Sequence, residues 1–92
     1  MIEIKMDKLA KSLAGHDKDC VYVVVNEDDS CVYLADGKGK TLEKPKKKNT
    51  RHVQLIVHLP EEIPQLLSKA VYDSDLVHIL RLYHSAVRKA EQ

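Results

Sequence analysis

The sequence predicts a mainly β protein, α+β overall, in which a small five-stranded barrel is followed by a two-helix segment. Up to residue 58, five short segments rich in β-branched or alternating apolar residues are separated by turn-forming residues. Beyond residue 58 the apolar residues recur with the 3.6-residue period of a helix. Five short strands with tight turns suit a small barrel. We therefore assign residues 1–58 to the barrel and 59–92 to a helical C-terminal extension packed on it.

The first three strands follow from local composition. Residues 8–14 alternate weakly and predict an edge strand, and a polar break at residues 15–19 follows. The β-branched run at residues 20–25 predicts a strand buried on both faces. Asparagine and aspartate at residues 26–30 favour a hairpin loop that pairs this strand with residues 31–35.

Two further strands and the helices complete the prediction. Residues 38–43 can return as a fourth strand that Pro45 stops, residues 44–48 are too charged to pack, and residues 52–57 form the fifth strand. Pro60 or Pro64 can start a short helix, and Asp73 or Ser74 can cap a second one. The second helix carries an apolar stripe formed by Leu76, Ile79, Leu80, Tyr83 and Val87. This stripe must pack on the barrel or on another chain, and packing on the barrel is favoured.

Composition indicates a cytoplasmic location. There is no run of about 18 apolar residues to span a bilayer, and the first residues lack the apolar core of a signal peptide. The chain has only Cys20 and Cys31, whereas small secreted domains usually carry more cysteines in a disulfide framework. The predicted hairpin places the two too far apart to bridge, so both are interpreted as core or near-core thiols.

Positive charge is concentrated in one segment. Residues 37–52 contain six lysines and one arginine against one glutamate, although the whole chain has a net charge of only +1. A solvated loop would account for this cluster, but so would contact with a polyanion such as RNA. Four tyrosines and no tryptophan or phenylalanine leave few side chains for base stacking, which favours phosphate contacts.

Other functional classes find little support. The stretch Gly37-Lys38-Gly39-Lys40-Thr41 ends like a nucleotide-binding phosphate loop, but Leu34 stands where that motif requires its first glycine. No paired cysteine or histidine spacing predicts a metal site, and no serine lies in a nucleophile elbow. The sequence therefore predicts a protein that is not an enzyme and has no cofactor.

Three blocks together resemble a known family. They are SLAGHDK at residues 12–18, LADG at 34–37 and LEKPKKK at 42–48. In order and spacing these blocks resemble the bacterial KOW-domain RNA-binding proteins related to a eukaryotic-type large-subunit ribosomal protein, over roughly residues 8–55. The resemblance implies an SH3-like barrel and binding to RNA or the ribosome. The chain departs from the family at two positions. Asp19 stands where a glycine usually follows the loop lysine, and Asp7 stands where a glycine often precedes the first strand.

The predicted function is non-catalytic binding of ribosomal or other structured RNA through phosphate contacts, in connection with translation. The alternative is a protein-docking module that uses the barrel or the C-terminal helix as a partner surface; no membrane contact is expected. The resemblance and the basic segment together give the candidate RNA-binding residues Gly15, His16, Asp17, Lys18, Lys38, Lys40, Lys44, Lys46, Lys47, Lys48 and Arg51.

Overall fold

The structure is a computed structural model that describes residues 6–90. All five strands precede both α-helices in the chain. In chain order the elements are β1 (Leu9–Ser12), β2 (Val21–Glu27), β3 (Cys31–Ala35), β4 (Lys46–Asn49), a 3-10 helix (Thr50–His52), β5 (Val53–Ile56), α1 (Glu62–Lys69) and α2 (Asp73–Ala90).

The five strands form one antiparallel sheet in the order β4-β3-β2-β1-β5. In a flat sheet the two edge strands would lie about 19 Å apart, at four spacings of about 4.8 Å. Yet only the 3-10 helix joins β4 to β5, and its three residues rise about 6 Å. The sheet must therefore coil strongly. No pairing between β4 and β5 closes it within residues 6–90, so the architecture is an open, coiled sheet with two C-terminal helices.

The sheet has a core on each face. The inner face of the coil buries Ala10, Tyr22, Val24, Val32, Leu34 and Val53. The outer face packs Leu9, Val23, Val25 and Ala35 against Ile63, Leu67, Leu76, Ile79 and Leu80 of the two helices. Alternate residues of β2 contribute to both cores, so this strand is buried on both faces, as its β-branched run predicts.

The fourth strand differs from the prediction. Residues 38–43 form a loop, and β4 lies instead in the lysine cluster, which the sequence had indicated to be too charged to pack. Two contacts explain the change. Alternation along β4 directs Lys46 and Lys48 towards Asp17, and the Asp17 carboxylate offsets their charge. Asp36 accepts hydrogen bonds from the backbone of Lys38 and Lys40, and these bonds hold residues 38–43 as a loop.

The cysteines and the hairpin also differ in detail. Cys20 is exposed and Cys31 half-buried, so the interpretation of both as core thiols is wrong for Cys20; both are free thiols. The hairpin between β2 and β3 pairs Glu27 with Val32, with a register shift between Val24 and Asn26, and its loop is shorter than predicted.

The helices begin close to the predicted residues. The backbone N–H of Ile63 donates to the carbonyl of Pro60, just before α1. At the start of α2 the Asp75 carboxylate accepts hydrogen bonds from the backbone of Val71 and Tyr72. The first half of the apolar stripe lies in the outer core, whereas Val87 is exposed. Neither helix within residues 6–90 is both long and apolar enough to cross a bilayer.

Asp19 lies in the left-handed region, with φ of 73°. This conformation costs a non-glycine residue about 1–2 kcal/mol, and somewhat less for aspartate. The Asp19→Gly variant relieves this strain, but glycine also raises the conformational entropy of the unfolded chain, which offsets part of the gain. The free energy of unfolding is therefore expected to be about 0.5–1 kcal/mol higher than that of the wild type. Urea denaturation would measure this difference. Asp29→Gly is the matched control, since Asp29 is an exposed turn residue without a positive φ. A gain no larger than that of the control would contradict the prediction.

Candidate nucleic-acid interface

The loop between β1 and β2 folds around the carboxylate of Asp17. Gly15, with φ of 89°, and Asp19 reverse the chain on either side of it. The backbone N–H of Asp19 donates to the carbonyl of Ser12, and that of Lys18 to the carbonyl of Gly15. The loop thereby turns the Asp17 side chain inwards, and the residue is only 8% exposed.

Each carboxylate oxygen of Asp17 accepts two hydrogen bonds. Oδ1 accepts from the hydroxyl of Ser12 at 2.8 Å and from Nζ of Lys48 at 2.8 Å. Oδ2 accepts from the hydroxyl of Tyr22 at 3.0 Å and from Nζ of Lys46 at 3.1 Å. Three strands therefore converge on one buried anion, with Ser12 on β1, Tyr22 on β2 and the two lysines on β4.

Lys48 is fully engaged inside the protein. Its side chain is 8% exposed, and Nζ donates to Asp17, to Ser12 Oγ at 2.5 Å and to the Ala14 carbonyl at 2.8 Å. An ammonium group has three donors, so none remains for a phosphate. Although it is one of the candidate RNA-binding residues, Lys48 lies beneath the surface and supports the loop.

The environment of Asp17 favours its ionised form. Burial alone would raise the pKa of Asp17, but hydrogen bonds from Lys48, Ser12, Lys46 and Tyr22 outweigh burial and hold the pKa well below its ordinary value. Burial, the hydrogen bond to Asp17 and the charge of that carboxylate raise the pKa of Tyr22 above its ordinary value. At neutral pH the site is therefore a carboxylate held by two ammonium groups and a neutral phenol.

Basic side chains surround this buried network. Lys46 keeps 38% of its side chain exposed while it pairs with Asp17. Nζ of Lys40 lies 5.4 Å from the centre of the Tyr22 ring. His16 and Lys18 are exposed in the loop that carries Asp17. We call His16, Lys18, Lys40 and Lys46 the basic end of the protein.

The remaining candidate residues lie elsewhere. Lys38 borders a groove next to α2, and Lys44 is exposed in the loop before β4. Lys47 pairs across the sheet with Tyr33, on the face of β4 opposite to Lys46 and Lys48. Arg51 is exposed in the 3-10 helix. The structure thus joins the loop block at residues 15–18 with Lys40, Lys46 and Lys48, and leaves Lys44, Lys47 and Arg51 apart from that network.

The four tyrosines do not offer a stacking platform at the basic end. Tyr22 is 3% exposed, and Lys40 lies over its ring. Tyr33 and Tyr83 are half-buried against the outer core, and Tyr72 is exposed at the start of α2. The basic end therefore offers charge and hydrogen-bond donors to an anion, and no tyrosine there presents a face for base stacking.

Sequence reasoning missed Ser12 and Tyr22 as parts of this site. Tyr22 lies within the β-branched run of β2 and Ser12 at the end of a weak strand, so neither stands out. The available signal was the spacing of Lys46 and Lys48, which are two residues apart and therefore lie on one face if they belong to a strand. Two charges on a buried face require a charged or polar partner.

No protein-family model matches the chain, and no curated protein matches it either. Within the part of the chain that the structure describes, no three histidine, cysteine, aspartate or glutamate side chains are grouped to hold a metal ion.

Proposed function

We propose that this protein is a non-catalytic RNA-binding protein of the cytoplasm, with an SH3-like barrel of the KOW type, that contacts RNA phosphates in connection with translation. One observation carries the proposal. Two blocks that lie far apart in the sequence, the loop at residues 15–18 and the lysine segment at 40–48, meet at Asp17 and place Lys18, Lys40 and Lys46 around it.

The buried carboxylate organises the surface above it. Asp17 holds Lys46 in place and anchors the loop that presents His16 and Lys18. Because the Lys46 side chain and the backbone of the loop are held before RNA arrives, less conformational entropy is lost on binding. Asp17 acts as a supporting residue in this proposal and does not itself contact the RNA.

The expected mode of binding is weakly selective for sequence. Ammonium groups that neutralise phosphates release counterions, and affinity then falls steeply with salt. Phosphate contacts set position but carry no direct sequence information. Because the tyrosine nearest to the basic end is buried, recognition depends on the shape and backbone of a structured RNA.

A protein-docking function is the second candidate. A pocket of about 440 Å³ lies on the outer side of the sheet, where Val25, Tyr33, Leu42, Pro45 and Val71 line it. Val71 and the neighbouring Tyr72 are 66% and 70% exposed. An apolar side chain of a partner could occupy this pocket, and such binding would depend weakly on salt.

Binding of a labelled RNA hairpin at low and moderate salt tests the proposal. The wild type is compared with Lys18→Gln/Lys40→Gln, which removes two cations from the basic end. Loss of two phosphate contacts is expected to weaken binding at 0.1 M salt roughly 25- to 60-fold and to lower the slope of log affinity against log salt by about 1.4–1.8. Lys46 and Lys48 are left in place because their loss would expose the charge of Asp17.

The matched control is Lys69→Gln/Lys89→Gln, which removes the same charge from the two helices. It should reduce affinity much less, and both variants should stay within about 1 kcal/mol of the wild-type free energy of unfolding, a margin that includes the contact of Lys40 with the Tyr22 ring. Absence of wild-type binding at low salt, or equal losses in the two variants, would contradict phosphate recognition by the basic end. In the first case the docking pocket becomes the better candidate.

A further inference from the structure

A groove of about 450 Å³ lies between the start of β2 and α2, and two of its lining residues, Tyr22 and Asp36, contact Lys40 of the basic end. Its base contains Val21, Tyr22 and Leu80, which are largely buried. Its rim carries exposed polar side chains from two separate parts of the chain, namely Lys38 from the loop after β3 and Arg81 and His84 from α2.

The helix presents one continuous face to this groove. Val77, Leu80, Arg81 and His84 are spaced at i, i+3, i+4 and i+7, so they follow one stripe along α2. Leu80 anchors the stripe in the outer core, and Arg81 and His84 extend from its exposed margin. A rigid element therefore positions the two polar groups.

The opposite wall is equally fixed. Asp36 Oδ1 accepts hydrogen bonds from the backbone of Lys38 at 2.9 Å and of Lys40 at 3.0 Å, and the carbonyl of Lys40 accepts from Asp36 and Gly37. Gly37 lies against Asp73 and Val77 of α2 without room for a side chain. The loop that carries Lys38 is thus pinned to the helix that carries Arg81.

The two acidic residues of the groove are offset locally. Asp36 is committed to the two backbone N–H groups, and Asp19 lies 3.7 Å from Nζ of Lys11. Neither Lys38 nor Arg81 has an ion pair with another residue between 6 and 90. The rim therefore offers two uncompensated cations next to Lys40, and the ring of Tyr22 is buried.

We infer that this groove is a second phosphate-contact site for RNA, in which Arg81 of the C-terminal helix and Lys38 hold one backbone phosphate and His84 donates a hydrogen bond to the same strand. The inference rests on the proposed function and extends it from the loops to α2. RNA would then follow a path from Lys18 and Lys40 across the groove to Arg81. The planar guanidinium suits two parallel hydrogen bonds to one phosphate.

The first test compares Arg81→Gln with Arg88→Gln. Both replace an exposed arginine of α2 with the same residue, but Arg88 does not line the groove. Arg81→Gln is expected to weaken RNA-hairpin binding about five- to eightfold at 0.1 M salt and to lower the salt slope by about 0.7–0.9. Arg88→Gln should leave both quantities near the wild-type values. Equal effects of the two variants would overturn the inference.

A second measurement uses Cys20, which is exposed and lines the groove. In a Cys31→Ser background, bound RNA hairpin should slow alkylation of Cys20 by N-ethylmaleimide severalfold, and salt that dissociates the RNA should restore the rate. One outcome would overturn the inference and leave the proposed function standing. In that outcome the wild type binds RNA and the Lys18→Gln/Lys40→Gln variant loses binding, but Cys20 of the RNA-bound Cys31→Ser protein stays fully reactive. If the wild type binds no RNA, both proposals fail.

Discussion

Replacing Asp17 with asparagine is expected to lower the free energy of unfolding by about 3–5 kcal/mol, because it leaves the buried ammonium of Lys48 without its counter-charge. An exposed pair would contribute about 1 kcal/mol or less. Urea denaturation at neutral pH measures the difference. Asp29→Asn is the control, since it makes the same chemical change at an exposed turn and should alter stability by less than about 0.5 kcal/mol.

A double-mutant cycle with Lys48→Met separates the pair from other effects. Lys48→Met leaves Asp17 with Lys46, Ser12 and Tyr22, so its loss should be smaller than that of Asp17→Asn. The double variant buries no uncompensated charge, and its loss should therefore fall well below the sum of the two single losses. Additive losses, or a loss near 1 kcal/mol for Asp17→Asn, would show that the pair behaves as a surface salt bridge.

The same pair predicts the response to acid. The pKa of Asp17 in the folded protein lies below the value of about 3.9 for an unfolded aspartate. Its stabilisation is therefore complete above the unfolded pKa and is lost as pH falls towards the folded pKa. Wild-type stability should decline from about pH 5 downwards, and Asp17→Asn should decline less over the same range, although the lowered pKa values of Asp28 and Asp75 contribute in the same direction.

Replacing Gly37 with alanine is expected to cost about 2–5 kcal/mol. Gly37 has φ of 83°, which costs a residue with a side chain about 1–2 kcal/mol. A Cβ atom would also collide with the backbone of Asp73 and lie 2.9 Å from Cγ2 of Val77, and overpacking of this kind costs about 1–3 kcal/mol more. Thermal or urea unfolding would measure the loss.

Gly39→Ala provides the matched control two residues away. A Cβ atom at Gly39 meets nothing within 4 Å, and its φ is not positive. That variant should stay within about 0.5 kcal/mol of the wild type or become slightly more stable through lower unfolded-chain entropy. Similar stabilities for the two variants would contradict the close approach of this loop to α2.

The parts of the fold that sequence could predict are those with local signals. The β-branched run of β2 and the period of 3.6 in α2 each reflect burial of neighbouring residues, so four strand positions and both helices follow from the sequence. The position of β4 depends on a partner 29–31 residues away. A lysine cluster resembles a solvated loop unless that distant carboxylate is known, and the prediction therefore placed the strand too early.

The candidate site was predictable as a composition but not as an arrangement. The lysine segment and the loop at residues 15–18 were both identified, yet exposed and structural cations can be separated only once residues 46–49 are known to form a strand. Alternation along β4 makes that separation, because it buries Lys48 beside Asp17 and leaves Lys47 on the opposite face. Arg81 and His84 were missed because α2 is distant in sequence from the loop that carries Lys38. The two come together only because the outer core packs α2 against the sheet.

The open coil of the sheet also leaves two unlike edges. β4 presents one edge and carries consecutive lysines, two of which point inwards, and such charges discourage the addition of a strand from another molecule. β5 presents the other edge, near Leu55 and Val57, which are 41% and 62% exposed. The β4 edge is therefore expected to resist the addition of a strand from a second copy, so substitutions of its lysines should be checked for self-association as well as for ligand binding.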